Sequence, residues 1–245
     1  MYSPLEQFQI YPILSLGAGS LDLSVTNSFV IGSLSLILFG MLQKWGGSYL
    51  VPTRWQWLFE NLYLGVMGIV RDSLGREGRG FFPFVFALCL FVLCANVSGL
   101  VPYSFTTTSH LVVTLSLALI VFGGVNVLSV QAHGSHVLSS FHPNGTSLGL
   151  ALLLVPIEVV SFLFKPLSLG VRLFANMMAG HTLLKVIGGF AWAIIRGGGM
   201  LFVAHLLPLA VLVLLIGLEL GVALIQAYVF TILTCIYLHD GIHLH

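Results

Sequence analysis

The sequence predicts an all-α integral membrane protein, and three observations carry that class. Nine Lys/Arg and eight Asp/Glu make up only 7% of the 245 residues, where a soluble domain carries about 25% charged side chains. Hydrophobic residues reach 58%. From Gly80 to Ile157 no Asp, Glu, Lys or Arg occurs at all. Water-facing surfaces are where charges reside, so this composition cannot cover a soluble globule. It excludes a soluble enzyme and a disordered tail, and it predicts no nucleic-acid partner, because such a protein needs a basic face.

The elements follow in chain order. A membrane-crossing helix needs about 20 largely apolar residues. The first is predicted at 24–43, where Leu23 to Gln43 is free of charge. Next comes the one charge-rich connection, holding Lys44, Arg54, Arg71, Arg76 and Arg79 with Glu60, Asp72 and Glu77. Its basic residues place it on the cytoplasm-derived side. Within it Trp55, Leu58, Phe59, Leu62, Val66 and Ile69 recur at three- and four-residue steps, which predicts an amphipathic helix over 53–74 lying on the membrane surface. A transmembrane hairpin follows over 81–130. The apolar stretches 148–194 and 199–238 then form a long helix hairpin over 148–238. Both are too long to stand upright, so they tilt strongly, kink or lie partly along the membrane. Five crossings put the N-terminus outside and the C-terminus inside. The loop around 131–147 then falls inside, and Arg196 with Gly197–Gly199 forms an outer turn. No repeat or soluble segment is evident, so 1–245 reads as a single membrane domain.

Other features are weaker. Cys89, Cys94 and Cys235 sit in apolar runs without paired spacing, which argues against disulfides or a zinc site. The triplets Asn96-Val97-Ser98 and Asn144-Gly145-Thr146 match a glycosylation pattern that is common by chance. The first residues carry neither a basic signal-peptide start nor an Arg-rich leader, so a targeting segment is either not needed or already removed.

Ionisable residues at bilayer depth cost about 2.5–3.5 kcal/mol each on insertion scales, so each is a functional candidate. Glu158, Lys165, Arg172, Lys185 and Glu219 qualify. Seven residues make nearly two helical turns, so Glu158, Lys165 and Arg172 share one face, continued by Asn176. His181 lies on a different face. Glu219 and Gln226 are again seven apart. If the two long helices run antiparallel, Arg172 stands level with Gln226 and His181 level with Glu219. Two polar clusters at different depths result, with a third headed by Glu158. His and carboxylates exchange protons near neutral pH, whereas Arg keeps its own, so the ladder reads as a proton path broken by a permanent cation.

Plainer readings stand beside these. Lys185 snorkels to an interface. Lys165 does the same or pairs with Glu158, and His205 is a packed or interfacial histidine. His133, His136 and His142 are solvated loop residues, the first and second able to take an adventitious metal. His239, Asp240, His243 and His245 form a solvated tail. Gly217, Gly221, Ala223 and Ala227 allow close helix packing. A self-contained transporter would show paired internal repeats, which are missing. A haem-carrying subunit would need stacked His pairs, whereas His110, His181 and His205 are singletons.

The segment Ser168-Leu169-Gly170-Val171-Arg172-Leu173-Phe174-Ala175-Asn176-Met177 resembles the signature of subunit a of F-type ATP synthase. Met178-Ala179-Gly180-His181 looks like the mitochondrial branch of that family, as do Ser3-Pro4-Leu5-Glu6-Gln7-Phe8, Asn96, Gly99-Leu100-Val101-Pro102-Tyr103-Ser104-Phe105, Ser109-His110, Glu219 and Ile225-Gln226-Ala227-Tyr228-Val229. The resemblance spans essentially the whole chain. It implies one vertical helix, a surface helix, a transmembrane hairpin and two long tilted helices wrapped around a ring of c subunits. The family's role is that of a stator proton channel, not catalytic alone and without cofactor or metal. The implied partners are the c-ring, the peripheral stalk and other membrane stator subunits, in the mitochondrial inner membrane. By position, Arg172 matches the essential stator arginine, with Asn176 and Gln226 beside it. His181, Glu219 and Asn96 match the intermembrane-space half-channel, and Glu158 the matrix-side one.

Overall fold

Six α-helices follow one another among the described residues of this computed structural model, which are 4–15, 17–18, 21–22, 24–45, 51–75, 77–101, 104–134, 148–197 and 205–242. They are α1 (Asn27–Trp45), α2 (Arg54–Leu74), α3 (Phe82–Gly99), α4 (Leu111–His133), α5 (Leu148–Arg196) and α6 (Leu206–Ile242). Helices α3 and α4, the stretch Leu153–Arg196 of α5, and α6 are long and apolar enough to cross a membrane, and α1 adds a shorter apolar run over Asn27–Leu38. The chain is an all-α integral membrane protein. At about 1.5 Å per residue, the 49 residues of α5 extend about 74 Å and the 37 of α6 about 56 Å. A hydrocarbon core is about 30 Å thick, so neither helix fits it upright. α5 runs unbroken through Pro156 and Pro166.

Residues before α1 differ from the sequence expectation, which held no strand. Pro12–Leu14 pairs antiparallel with Val25–Thr26, and Gly17–Ala18 with Leu21–Asp22. Thr26 belongs to this ladder and its Oγ1 accepts from the Phe29 backbone N–H at 3.4 Å, so the helix expected from 24 begins at Asn27. His136, His142, the Asn144-Gly145-Thr146 triplet, Gly198, Gly199, His243 and His245 lie outside the described residues.

The chain divides into two compact units, and both long helices contribute to each. The first comprises Met1–Trp45, Leu90–His110 and Leu173–Ala227. Here Ala223 and Ala227 are 0% and 3% exposed, while a side chain at Gly217 or Gly221 would meet nothing within 4 Å. Only the alanine half of the small-residue pattern is packed. At 100° per residue the two pairs point about a third of a turn apart, so one contact cannot use both. Asn96, also at 0% exposure, is too deep for a glycosylation acceptor.

The second unit comprises Gly46–Cys89, Leu111–Arg172 and Tyr228–His245. α2 starts at Thr53, whose Oγ1 accepts from the Gln56 N–H, and ends at Gly75 with φ +62°. The chain then folds back so closely that a Cβ at Gly78 would lie 2.7 Å from Leu74 Cβ. Tyr63, Phe82 and Phe86 form edge-on and stacked ring contacts at 4.8–5.5 Å that fix α2 to α3. The amphipathic stripe is buried only toward its C-terminal end. Val66 is 4% exposed, whereas Trp55 and Leu58 are 64% and 51% exposed. α5 meets α4 at Gly170, where a Cβ would stand 3.1 Å from Leu115 Cα.

Lys165 pairs with Asp240 Oδ2 at 3.3 Å and lies over the Tyr237 ring, so its partner is not Glu158. Residues seven apart on a helix are separated by about 10.5 Å along the axis, beyond ion-pair reach. His133 likewise is no free loop residue: its Nε2 lies 2.7 Å from the Ile242 carbonyl oxygen. His239 and Asp240 continue α6. All three cysteines are buried, and none of them forms a disulfide.

Candidate functional site

The polar centre of the first unit is assembled from three segments. α5 contributes His181, α6 contributes Glu219, and the 104–110 segment after α3 contributes Thr106. His181 Nε2 lies 3.5 Å from Glu219 Oε1 and 3.1 Å from Thr106 Oγ1. Glu219 is 5% exposed, and neither of its carboxyl oxygens has a hydrogen-bond partner. A buried polar group without partners costs on the order of 1–3 kcal/mol or more, so its persistence calls for a use. Gly180 makes the room for it, because a Cβ there would come within 2.7 Å of Oε1.

Beside this pair lies a cavity of about 310 Å³ with Asn176, Gly180 and Glu219 in its lining and leucines around them. The carboxyl therefore borders open space on one side and an imidazole on the other. On the same unit Asn96 donates from Nδ2 to the Ala223 carbonyl at 3.4 Å, leaving its buried Oδ1 unpartnered. Chemically, the arrangement can take up and release protons through the carboxyl and imidazole.

The remaining expected site residues are distributed as follows. Gln226 belongs to the first unit, and Arg172 closes the α5 portion of the second. Arg172 is exposed, as is Glu158, which stands among the exposed apolar side chains Ile157 and Val160. No group of three His, Cys, Asp or Glu suited to a metal ion occurs among the described residues. Thr106 and Gly180 escaped assignment in the sequence. Thr106 carried a signal: the hydroxyl run Ser104, Thr106, Thr107, Thr108 and Ser109 between two apolar spans has no solubility purpose there. Gly180 carried none, since a helical glycine does not declare its neighbour.

Comparison with known proteins bears on what such a site serves. The profile of the ATP synthase A chain family matches residues 25–239. ATP synthase subunit a of Pylaiella littoralis is 59% identical over 246 residues, covering 99% of each chain. That of Chondrus crispus is 46% identical over 245 residues, with 99% of this chain and 97% of the relative covered. The bacterial subunit a of Paramagnetospirillum magneticum is also 46% identical, over 250 residues and the full length of both. The chain therefore belongs to the ATP synthase A chain family: it is a proton-translocating component of the membrane sector of ATP synthase, working with the other subunits of that complex and not catalytic alone.

Proposed function

We propose that the chain is the stator proton channel of an F-type ATP synthase, with two offset aqueous half-channels meeting a ring of c subunits. The observation that carries this reading is Glu219, a buried carboxyl without hydrogen bonds, set against His181 and a cavity reaching Asn176. A proton taken up from the intermembrane space passes Asn96, His181 and Glu219 and protonates a c-subunit carboxylate. The neutral carboxyl then travels through lipid, which a charged one cannot do cheaply. At the matrix-side half-channel near Glu158 it releases its proton. Arg172 attracts the bare carboxylate and, as a fixed cation, prevents protons from leaking directly between the half-channels, while Asn176 and Gln226 supply polar groups to the path. Each charge moved through the potential yields about 2.3 kcal/mol per 100 mV, so several protons drive each nucleotide synthesis.

In this reading the chain acts as one membrane domain, α1 crosses the bilayer, and α2 lies on its surface. The basic residues of 44–79 favour the matrix side for that connection. That orientation puts the N-terminus in the intermembrane space and the C-terminus in the matrix of the mitochondrial inner membrane. Peripheral-stalk and other stator subunits hold the chain against the rotor. Arg172→Ala tests the core of the proposal. ATP-driven proton pumping by the assembled complex is expected to vanish while assembly persists. Pumping that survives the substitution would overturn the separating role of Arg172.

A further inference from the structure

We propose that Thr106 is a positioning residue for proton handover between His181 and Glu219; this rests on the reading of that pair as part of the proton path. His181 Nε2 faces two oxygens, Thr106 Oγ1 at 3.1 Å and Glu219 Oε1 at 3.5 Å. The nearer is a hydroxyl, which both donates and accepts; an ionised carboxylate only accepts. The hydroxyl can hold the imidazole in either of its protonation states without changing its own, whatever the charge on Glu219.

The local fold fixes that hydroxyl. Thr106 is 4% exposed. Its carbonyl oxygen accepts from both the backbone N–H and the Oγ of Ser109, at 3.2 and 2.6 Å. Its methyl group sits in a notch at Gly99, where a Cβ would approach Thr106 Cγ2 to 2.6 Å. With the methyl seated there and the carbonyl tied down, the remaining branch of the β-carbon points at His181. A threonine is restricted about χ1, so little freedom remains.

The handover then balances. In the imidazolium, Nε2–H rests on Thr106 Oγ1 and swings to Glu219 Oε1, the second oxygen that Nε2 faces, before it transfers. The N–H bond breaks as the proton passes to Glu219 Oε1, where an O–H bond forms and the carboxylate becomes neutral. Nε2 is left with a lone pair, and the Thr106 hydroxyl turns to donate to it. Because the hydroxyl holds the ring beside the carboxyl, Glu219 stays without a competing hydrogen bond and remains ready to pass the proton on.

The test uses the assembled ATP synthase carrying the variant chain, reconstituted in liposomes, with proton conductance and ATP-driven pumping measured in H2O and D2O. Thr106→Val keeps the shape and removes the hydroxyl. It is expected to slow proton transfer about tenfold, the effect of one lost hydrogen bond on a barrier, and to raise the solvent isotope effect as handover becomes limiting. Thr106→Ser restores both. Should Thr106→Val not assemble, Thr106→Ala adds no bulk and is expected to show the same loss. Wild-type rates and isotope effect in the Val or Ala variant, alongside a defective His181→Ala, would overturn the role of Thr106. An unimpaired His181→Ala would instead remove the underlying proton path, and this proposal with it.

Discussion

A buried carboxyl group with no hydrogen bond from the protein is normally a liability, and Glu219 is one by construction. Its space exists because position 180 is glycine, whose missing Cβ would otherwise stand 2.7 Å from Oε1 and 3.0 Å from Cδ. In a helix Ala is favoured over Gly by roughly 0.5–1 kcal/mol. Gly180→Ala is therefore expected to leave helix stability intact or improved while displacing the carboxyl. Proton-driven ATP synthesis should fall, and so it should for Glu219→Gln, which keeps the shape but cannot ionise. Comparing synthesis rates with thermal stability of the complex separates the two effects. A Gly180→Ala complex with normal synthesis would detach the notch from function.

At the scale of elements, close backbone approach decides how α4 and α5 meet. Gly170 faces the Leu115 Cα and the Thr114 carbonyl oxygen, each 3.1 Å from where a Cβ would be. Backbone atoms cannot swing aside as a side chain can, so a branched residue there forces the helices apart. Between membrane helices, where lipid tails remove any hydrophobic drive to associate, such packing carries much of the contact energy. Gly170→Val is expected to destabilise the complex by about 1–3 kcal/mol, as overpacking does, seen as a lower thermal midpoint in detergent. The exposed Lys165–Asp240 pair makes a contrast. Half in solvent, it contributes on the order of 1 kcal/mol or less, and serves chiefly to tie α5 to the end of α6.

For the whole molecule, the exposed surface is the informative part. α5 and α6 present Leu163, Phe164, Phe190, Val213 and Leu214 at 57–68% exposure, and the exposed Arg172 and Glu158 stand on α5 among such side chains. Apolar faces of this extent belong against lipid or other subunits. The proposed mechanism needs the rotor carboxylate to carry the proton between half-channels. The chain alone in liposomes is therefore expected to conduct protons only feebly under an imposed potential, and the complex with its rotor ring to conduct readily. Robust coupled transport by the isolated chain would favour a self-contained transporter.

The sequence by itself determined the membrane class, the extent of α2 to within a residue and the two overlong helices. These follow from composition and from a 3.6-residue period, which are properties of a chain segment alone. Even the encounter of His181 with Glu219 followed from counting residues along antiparallel helices. The tertiary structure alone decided which atoms touch. It gave Lys165 to Asp240 rather than Glu158, tied His133 to the end of α6, and brought Thr106 and Gly180 to the Glu219 site. The physical reason is distance. Period fixes the direction of a side chain to within a face, whereas a hydrogen bond or a notch for a carboxyl is set by ångströms between segments far apart in sequence.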